Sequence, residues 1–522
     1  MLELDDPQVI LPDLWATHAR FYPKKEAVVC GPVRRTWGDF DANINRVANS
    51  LLALGLAKGD KVAVLMGNSV EMLETTFGVV RAGGCVVPLS GMLTGDQLRG
   101  LVEDCDAKIL VASAEFAERL AEAQARLKKI EPEGWIAFGF AAPGWRAYET
   151  FLKGASAEQP PVRLDPSDEF NIIYSSGTTG LPKGIVQTHR ARTHWAFSNA
   201  VEMGFTAESR ALTTTALYSN GTWLMVLPVL FAGGTLHAMP SFDPAAFLES
   251  VERERITHSF MVPAQYLMVL AEAQLDRRDL SSLRTLLSAG SPLRSDTKRE
   301  IIARLSKGLH ELYGFSEGFA SMLKPWQHEE KFASVGTPVL GFEVAILDDE
   351  GNELPRGEVG EIAGYGAGMM KTYHKRPEQT AELIWRDPRG RTFLRGGDIG
   401  KLDDEGFLYI LDRKKDMIIS GGFNVFPADV EGILGEHPAV RDVTVIGVPH
   451  ARWGESCLAL VVPEPGQKAA AEEIQSWANE RLAKPQRLVG VEFRDDFPRN
   501  ALGKVLKRQL RDPYWADEAE KG

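Results

Sequence analysis

Apolar runs and amphipathic stretches alternate along the first half of the chain. Lys61–Met66 (KVAVLM) reads as a strand, Ser69–Ala82 as a helix and Gly84–Leu89 as another strand. A second series comprises the strand Phe170–Tyr174, the helix His189–Met203, the apolar run Arg210–Leu217, the helix Asp243–Arg255, and the strands Ser259–Val262 and Leu283–Ala289. Such alternation predicts α/β layers built on parallel strands. From about Gly341 the pattern changes to short strands broken by Gly and Pro, as in GFEVAILDDEGNELPRGEVGEIAG, which predicts a small β-rich subdomain. The segment GFLYILDRKKDMIIS sets a charged run inside apolar flanks, and a domain boundary is expected at Asp412–Asp416. The expected fold class is α/β. A large N-terminal domain of layered α/β subdomains plus the β-rich subdomain covers 1–412, and a small C-terminal α+β domain covers 413–522.

A length of 522 residues exceeds one ordinary core and agrees with that division. Hydrophobic residues make up 44% and charged residues 25%, the balance of a globular chain. The 59 basic against 71 acidic residues leave a net charge of −12, so no nucleic-acid partner is expected. Cys30, Cys85, Cys105 and Cys457 lack metal-ligand or redox spacing and are expected to be reduced thiols, which fits a cytoplasmic location. The N-terminal MLELDDPQVILPDLW is acidic where a signal peptide is positive, and no apolar run reaches the roughly 18 residues of a membrane span.

The stretch YSSGTTGLPKG, Tyr174–Gly184, carries the clearest chemistry. Ser175, Ser176, Gly177, Thr178, Thr179, Gly180 and Lys183 offer hydroxyls, close backbone amides and one ammonium to an anionic phosphate. The nucleotide-hydrolase P-loop needs Ser or Thr after its lysine, whereas Gly184 follows Lys183 here, so that class is disfavoured. Two further blocks, SAGSPL (288–293) and ELYGFSEG (311–318), put small residues at predicted strand ends, where open α/β sheets bind ligands. Weaker signals fall away: Gly364–Gly368 lacks the end of a dinucleotide fingerprint, and His189 and His194 are spaced to different helix faces.

These motifs, in this order and over nearly the whole chain, resemble the adenylate-forming superfamily of acyl-CoA synthetases, aryl-CoA ligases, peptide-synthetase adenylation domains and luciferases. The resemblance implies ATP, Mg²⁺ and coenzyme A as cosubstrates and cofactor, and a small-molecule carboxylic acid as substrate. It places Gly290, Ser291, Tyr313, Gly314 and Ser316 around the nucleotide, Tyr313 lying against adenine, and Glu317 with Thr178 on magnesium. Asp398 would accept the ribose hydroxyls with Arg413 assisting, and Ile410 belongs to the same nucleotide segment. Lys415 would be the hinge of a mobile C-terminal domain, Gly422 and Phe423 would meet CoA, and Lys504 in PRNALGKVLKRQL would steady charge during adenylation. Homodimers occur among such proteins, so a homodimer is an open expectation.

Two positions depart from the family pattern. In TALYSNGTW, residues 215–223, Tyr218 matches the usual aromatic but Ser219 replaces histidine, and Thr372 stands where glycine is usual. Relatives restricted to acetate carry a tryptophan at the position of Gly314, so glycine implies a larger acid. Tyr218, Ser219, Trp223, Ala289, Gly314, Phe315 and Met322 are the candidate acyl wall. The expected activity is an AMP-forming acid:CoA ligase for a medium- or long-chain fatty acid or an aryl or arylalkenoic acid. The alternatives are a ligase loading a separate carrier protein, and a catalytically silent acyl-adenylate binder.

Overall fold

A computed structural model describes residues 8–124, 126–174, 182–421, 423–467, 469–499 and 504–519. The chain forms two units: one comprises 1–332, 338–343 and 365–394, the other 333–337, 344–364 and 395–522.

The first unit contains two large sheets flanked by helices. In the nine-stranded sheet, Thr235–Ala238, Arg210–Thr213, His258–Met261, Thr285–Ala289 and Leu309–Phe315 are neighbours and parallel, and Leu309–Phe315 turns back into the antiparallel Phe319–Leu323. In the eight-stranded sheet, Lys61–Leu65 pairs in parallel with Cys85–Pro88 and Ala107–Ser113, and Cys85–Pro88 pairs in parallel with Glu169–Tyr174. These central strands are apolar on both faces because helices cover both. Val62–Leu65, Val86 and Val87 are wholly buried.

Local chemistry sets the helix limits. Ser69 caps Val70–Arg81 by accepting the Met72 amide, and Gly83 at φ +80° follows its end. Thr188 caps His189–Met203 through the Ala191 amide, and Gly204 at φ +69° closes it. The expected run Arg210–Leu217 stops as a strand at Thr213, since its continuation leaves the sheet for the turn before the helix Trp223–Phe231.

A third, five-stranded sheet takes up the Gly- and Pro-broken region, with Thr392–Leu402 paired antiparallel to Leu408–Arg413. In the second unit the long hairpin Val440–His450 and Gly454–Pro463 carries Leu488–Phe493 in parallel at its side. Helices Pro427–Leu434 and Ala471–Asn479 bury Val430, Leu434 and Ile474 on one face of this sheet, and Leu510 and Tyr514 of the last helix lie against Ile446, Leu458 and Leu460 on the other. This is the α+β architecture expected of the C-terminal region. All four cysteines are buried and unpaired, and burial pushes the thiols of Cys30, Cys105 and Cys457 up to about 12. Among the described residues no helix is long and apolar enough to cross a membrane.

Candidate active site

The signature stretch does not run from strand to helix, as the sequence pattern suggests, but from strand to strand. Gly184–Thr188 forms a strand antiparallel to Glu169–Tyr174, with Tyr174 opposite Gly184. The alternation here involves only Ile185 and Val186, too short a signal against the long helix that follows. The strands on either side are thus antiparallel partners, and the described residues that follow enter a strand and not a helix. Ser175, Ser176, Gly177, Thr178, Thr179 and Gly180 lie outside the described residues, as does Gly422.

The two stems of the hairpin are fastened by Thr372–Arg376. The backbone of His374 donates to the Gly184 carbonyl at 2.7 Å, and Lys371 donates to Val186 at 2.8 Å. Arg376 pairs with Asp104 at 2.7 Å, and Asp104 accepts the Tyr174 hydroxyl at 2.7 Å. The Tyr373 ring lies 4.7 Å from the Lys183 ammonium, a cation–π distance, and its hydroxyl donates to Oε1 of Glu317. Burial, followed by the Glu317 charge, raises the Tyr373 phenol well above its usual range, so it remains a donor.

Glu317 follows the strand Leu309–Phe315. Ala289 pairs with Leu312, so the Gly290 turn, at φ +93°, emerges next to Tyr313. The Met370 amide donates to the Glu317 carbonyl at 2.7 Å. Ser316 is held twice: Gln187 donates to its carbonyl at 3.0 Å, and Asn220 donates to its hydroxyl at 3.0 Å. Asn220 thus ties the segment of Tyr218 and Ser219 to that of Tyr313.

Gly314 sits opposite Ala320, and a Cβ there would lie 2.4 Å from the Phe319 carbonyl oxygen. Glycine here serves the backbone of the hairpin as well as leaving room. Gly314→Ala is expected to destabilise the protein by about 1–3 kcal/mol, because the obstacle is main chain and cannot swing away. Urea unfolding tests this, and an unchanged midpoint would mean the hairpin yields freely.

The candidate acyl wall divides into groups. Phe315 meets Phe319 at 5.7 Å; Phe319 meets Tyr313 at 6.4 Å and Phe342 at 6.3 Å; and Phe342 meets Trp195 at 4.8 Å. Trp223 is buried against Phe170 at 5.9 Å with the Arg192 guanidinium 4.8 Å above its ring. Met322 is wholly buried opposite Leu312, and Ser219 and Ala289 are buried while Tyr218 is half-buried.

In the second unit, the register of Thr392–Leu402 on Leu408–Arg413 puts Asp398 opposite Arg413 and Gly400 opposite Ile410. Arg413 Nε approaches Asp398 Oδ1 to 3.4 Å. Asp398 is only 6% exposed. Lys504 belongs to the same group. Burial, then the Arg413 charge, pushes its ammonium down to about 7, with Lys415 acting in the same sense and Asp398 and Asp416 opposing. Burial and Arg413 also lower Lys415, whose carbonyl accepts from Arg511 at 3.0 Å. Phe423 is exposed on the strand Phe423–Val425.

Elsewhere, Glu26, His237 and Glu254 gather ligand atoms within 4.8 Å of one another. Arg34 pairs with Glu26 at 2.8 Å, and Arg210 reaches Glu26 at 3.1 Å and Glu254 at 3.2 Å. The carboxylates are thereby neutralised without a metal ion, and the group reads as a structural ion-pair network.

Known family models match most of the chain. The model of the AMP-binding enzyme family matches residues 15–374, and that of the AMP-binding enzyme C-terminal domain matches 429–504. The chain belongs to the AMP-binding enzyme family. It is 36% identical over 497 residues to a feruloyl-CoA synthase of Amycolatopsis, covering 94% of this chain and 96% of that one. It is 34% identical over 499 residues to an indoleacetate–CoA ligase of Aromatoleum aromaticum, covering 95% and 96%. Among solved structures, the ATP-bound MatB of Rhodopseudomonas palustris superposes with a TM-score of 0.87 at 30% identity, covering 96% of this chain and 99% of that one. The protein is an adenylate-forming ligase using ATP.

The motifs led to Glu317, Asp398, Arg413 and Lys504 but not to Tyr373, Asn220, Gln187, Trp195 or Phe342. For Tyr373 a signal existed: the aromatic lies next to Thr372 inside MKTYHKRPEQT.

Proposed function

We propose that this AMP-binding enzyme joins a bulky carboxylic acid, of the aryl or arylalkenoic kind, to coenzyme A in the presence of Mg²⁺. The Asp398–Arg413–Lys504 cluster carries the reading. It combines an acceptor for ribose hydroxyls with a lysine held in a low-dielectric, charged setting, which is what an adenylation step uses. The aryl preference is supported by the aromatic chain from Trp195 to Tyr313 and by the acids named for the two relatives. A cytoplasmic, possible homodimeric enzyme of domains 1–412 and 413–522 completes the proposal.

In the first step a carboxylate oxygen attacks the α-phosphorus of ATP, the bond to the β-phosphate bridge breaks, and acyl-AMP and pyrophosphate form. Lys504 offers a compact charge to the α-phosphate and carboxylate oxygens. Lys183 and the signature loop hold the outer phosphates, Asp398 and Arg413 hold the ribose, and Tyr313 lies on adenine. Glu317 suits a hard cation: Oε1 takes the Tyr373 hydroxyl, and Oε2 offers a further oxygen ligand. Magnesium, when bound, would neutralise phosphate charge. In the second step the CoA thiolate attacks the acyl carbon and AMP leaves. We assign Lys415 as the hinge that alternates Lys504 and the Gly422–Phe423 segment between the steps.

Lys504 must be protonated to act, so kcat/KM for ATP in adenylation is expected to fall as pH rises through about 7. A profile flat from pH 6 to 9 would remove Lys504 from that role. The function itself is tested by pyrophosphate release across acetate, palmitate, benzoate, indoleacetate and ferulate, with and without CoA. Release with aryl acids and a CoA-dependent thioester are expected. Release without any thioester would redirect the acyl group to a carrier protein, and ATP binding without release would mark a silent binder.

A further inference from the structure

The geometry points to Tyr373 as the positioning residue that couples the magnesium carboxylate to the phosphate loop. Its hydroxyl donates to Glu317 Oε1, while the face of the same ring lies 4.7 Å from the Lys183 ammonium. One side chain therefore fixes a carboxylate on one element and a cation on another. Both contacts concern groups assigned to ATP phosphates and their cation, so the inference rests on the proposed function.

The placement of Tyr373 is over-determined. It pairs with Ile185 across the antiparallel ladder that begins beside Lys183, and its amide donates to Thr380 Oγ1 at 3.0 Å. The same hydroxyl of Thr380 meets Thr372 Oγ1 at 3.1 Å, which gives the threonine at the unusual position 372 a local task. On the other side, Met370 donates to the Glu317 carbonyl, and Met369 closes on Gly318 so tightly that a Cβ there would lie 2.1 Å from the Met369 Cα. Gly318 has φ +129°, open to glycine alone. The Glu317 backbone is thus clamped, and the Tyr373 hydrogen bond anchors the end of its side chain. A carboxylate that accepts one hydrogen bond on Oε1 keeps Oε2 as a directed oxygen ligand, as outer-shell donors do for metal-binding carboxylates.

The test compares Tyr373→Phe, Glu317→Gln and the double variant by calorimetric titration with ATP at varied MgCl₂, and with AMP without metal. Tyr373→Phe keeps the ring over Lys183 and loses only the hydroxyl. It is expected to weaken Mg²⁺-dependent ATP binding ~10-fold, leave AMP binding unchanged, and add nothing in the Glu317→Gln background. Tyr373→Leu removes the ring as well and is expected to cost a further ~threefold. Wild-type magnesium dependence in Tyr373→Phe, or a matching loss of AMP affinity, overturns the assignment, the latter by marking a structural role. If the wild-type protein itself shows no magnesium-dependent gain in ATP affinity, the reading of Glu317 fails, and the Tyr373 assignment falls with it.

Discussion

Lys504→Ala is expected to slow acyl-adenylate formation by ~10²–10³ while thioester formation from supplied acyl-AMP stays within a few-fold of the parent. The reason is the lysine's setting. An exposed lysine contributes little more than a screened charge, whereas Lys504 is desolvated enough to lower its pKa to about 7. Anionic ATP reverses that balance, because the phosphate charge favours the ammonium and the same low-dielectric surroundings strengthen the attraction. The interaction grows as charge develops on the α-phosphate, so its loss falls on the rate of adenylation. Lys504→Arg is expected to recover little, since a planar fork does not replace a compact point charge. Single-turnover measurements of the two half-reactions separate the effects. An equal loss in both would place Lys504 in general binding.

Asp398→Ala is expected to raise KM for ATP ~30-fold or more, corresponding to about 2–5 kcal/mol for truncating one partner of a buried charge pair. Asp398 is nearly inaccessible, and Arg413, Lys415 and Lys504 all lie in its field. Removing it would cost the ribose its proposed acceptor and leave Asp416 alone against the three cations. A second signature follows from sign. Asp398 raises the Lys504 pKa against the desolvation that lowers it, so the variant's adenylation profile should decline at a lower pH than the parent's. A raised KM with an unmoved profile would separate the ribose contact from the lysine.

The parts legible in the sequence are those written in contiguous residues. The helix expected over His189–Met203 has those limits because a threonine and a glycine flank it, and Ser69 and Ala82 bracket the helix expected between them. Asp398 and Arg413 were linked by the family resemblance, and the structure pairs them across one hairpin. Contacts that join distant segments were not legible. The Tyr373–Glu317 bond spans 56 positions and the Trp195–Gly368 bond 173, and no local period encodes either. The second stem of the phosphate hairpin was hidden for a different reason: its pairing comes from the neighbouring strand, and Ile185 and Val186 are too few to reveal a pattern. Gly314 shows how little a residue type says without its partners. Its small size was plain, but the Phe319 carbonyl behind it comes from the returning strand.

The central claim is that the acyl group passes through AMP to CoA, and isotope transfer tests it most directly. Ferulate carrying ¹⁸O in both carboxylate oxygens, incubated with the enzyme, ATP, Mg²⁺ and CoA, should place one ¹⁸O in the released AMP and leave the other in the thioester carbonyl. Thioester formed with unlabelled AMP would contradict an acyl-adenylate intermediate, and labelled AMP without a thioester would contradict CoA as the acceptor.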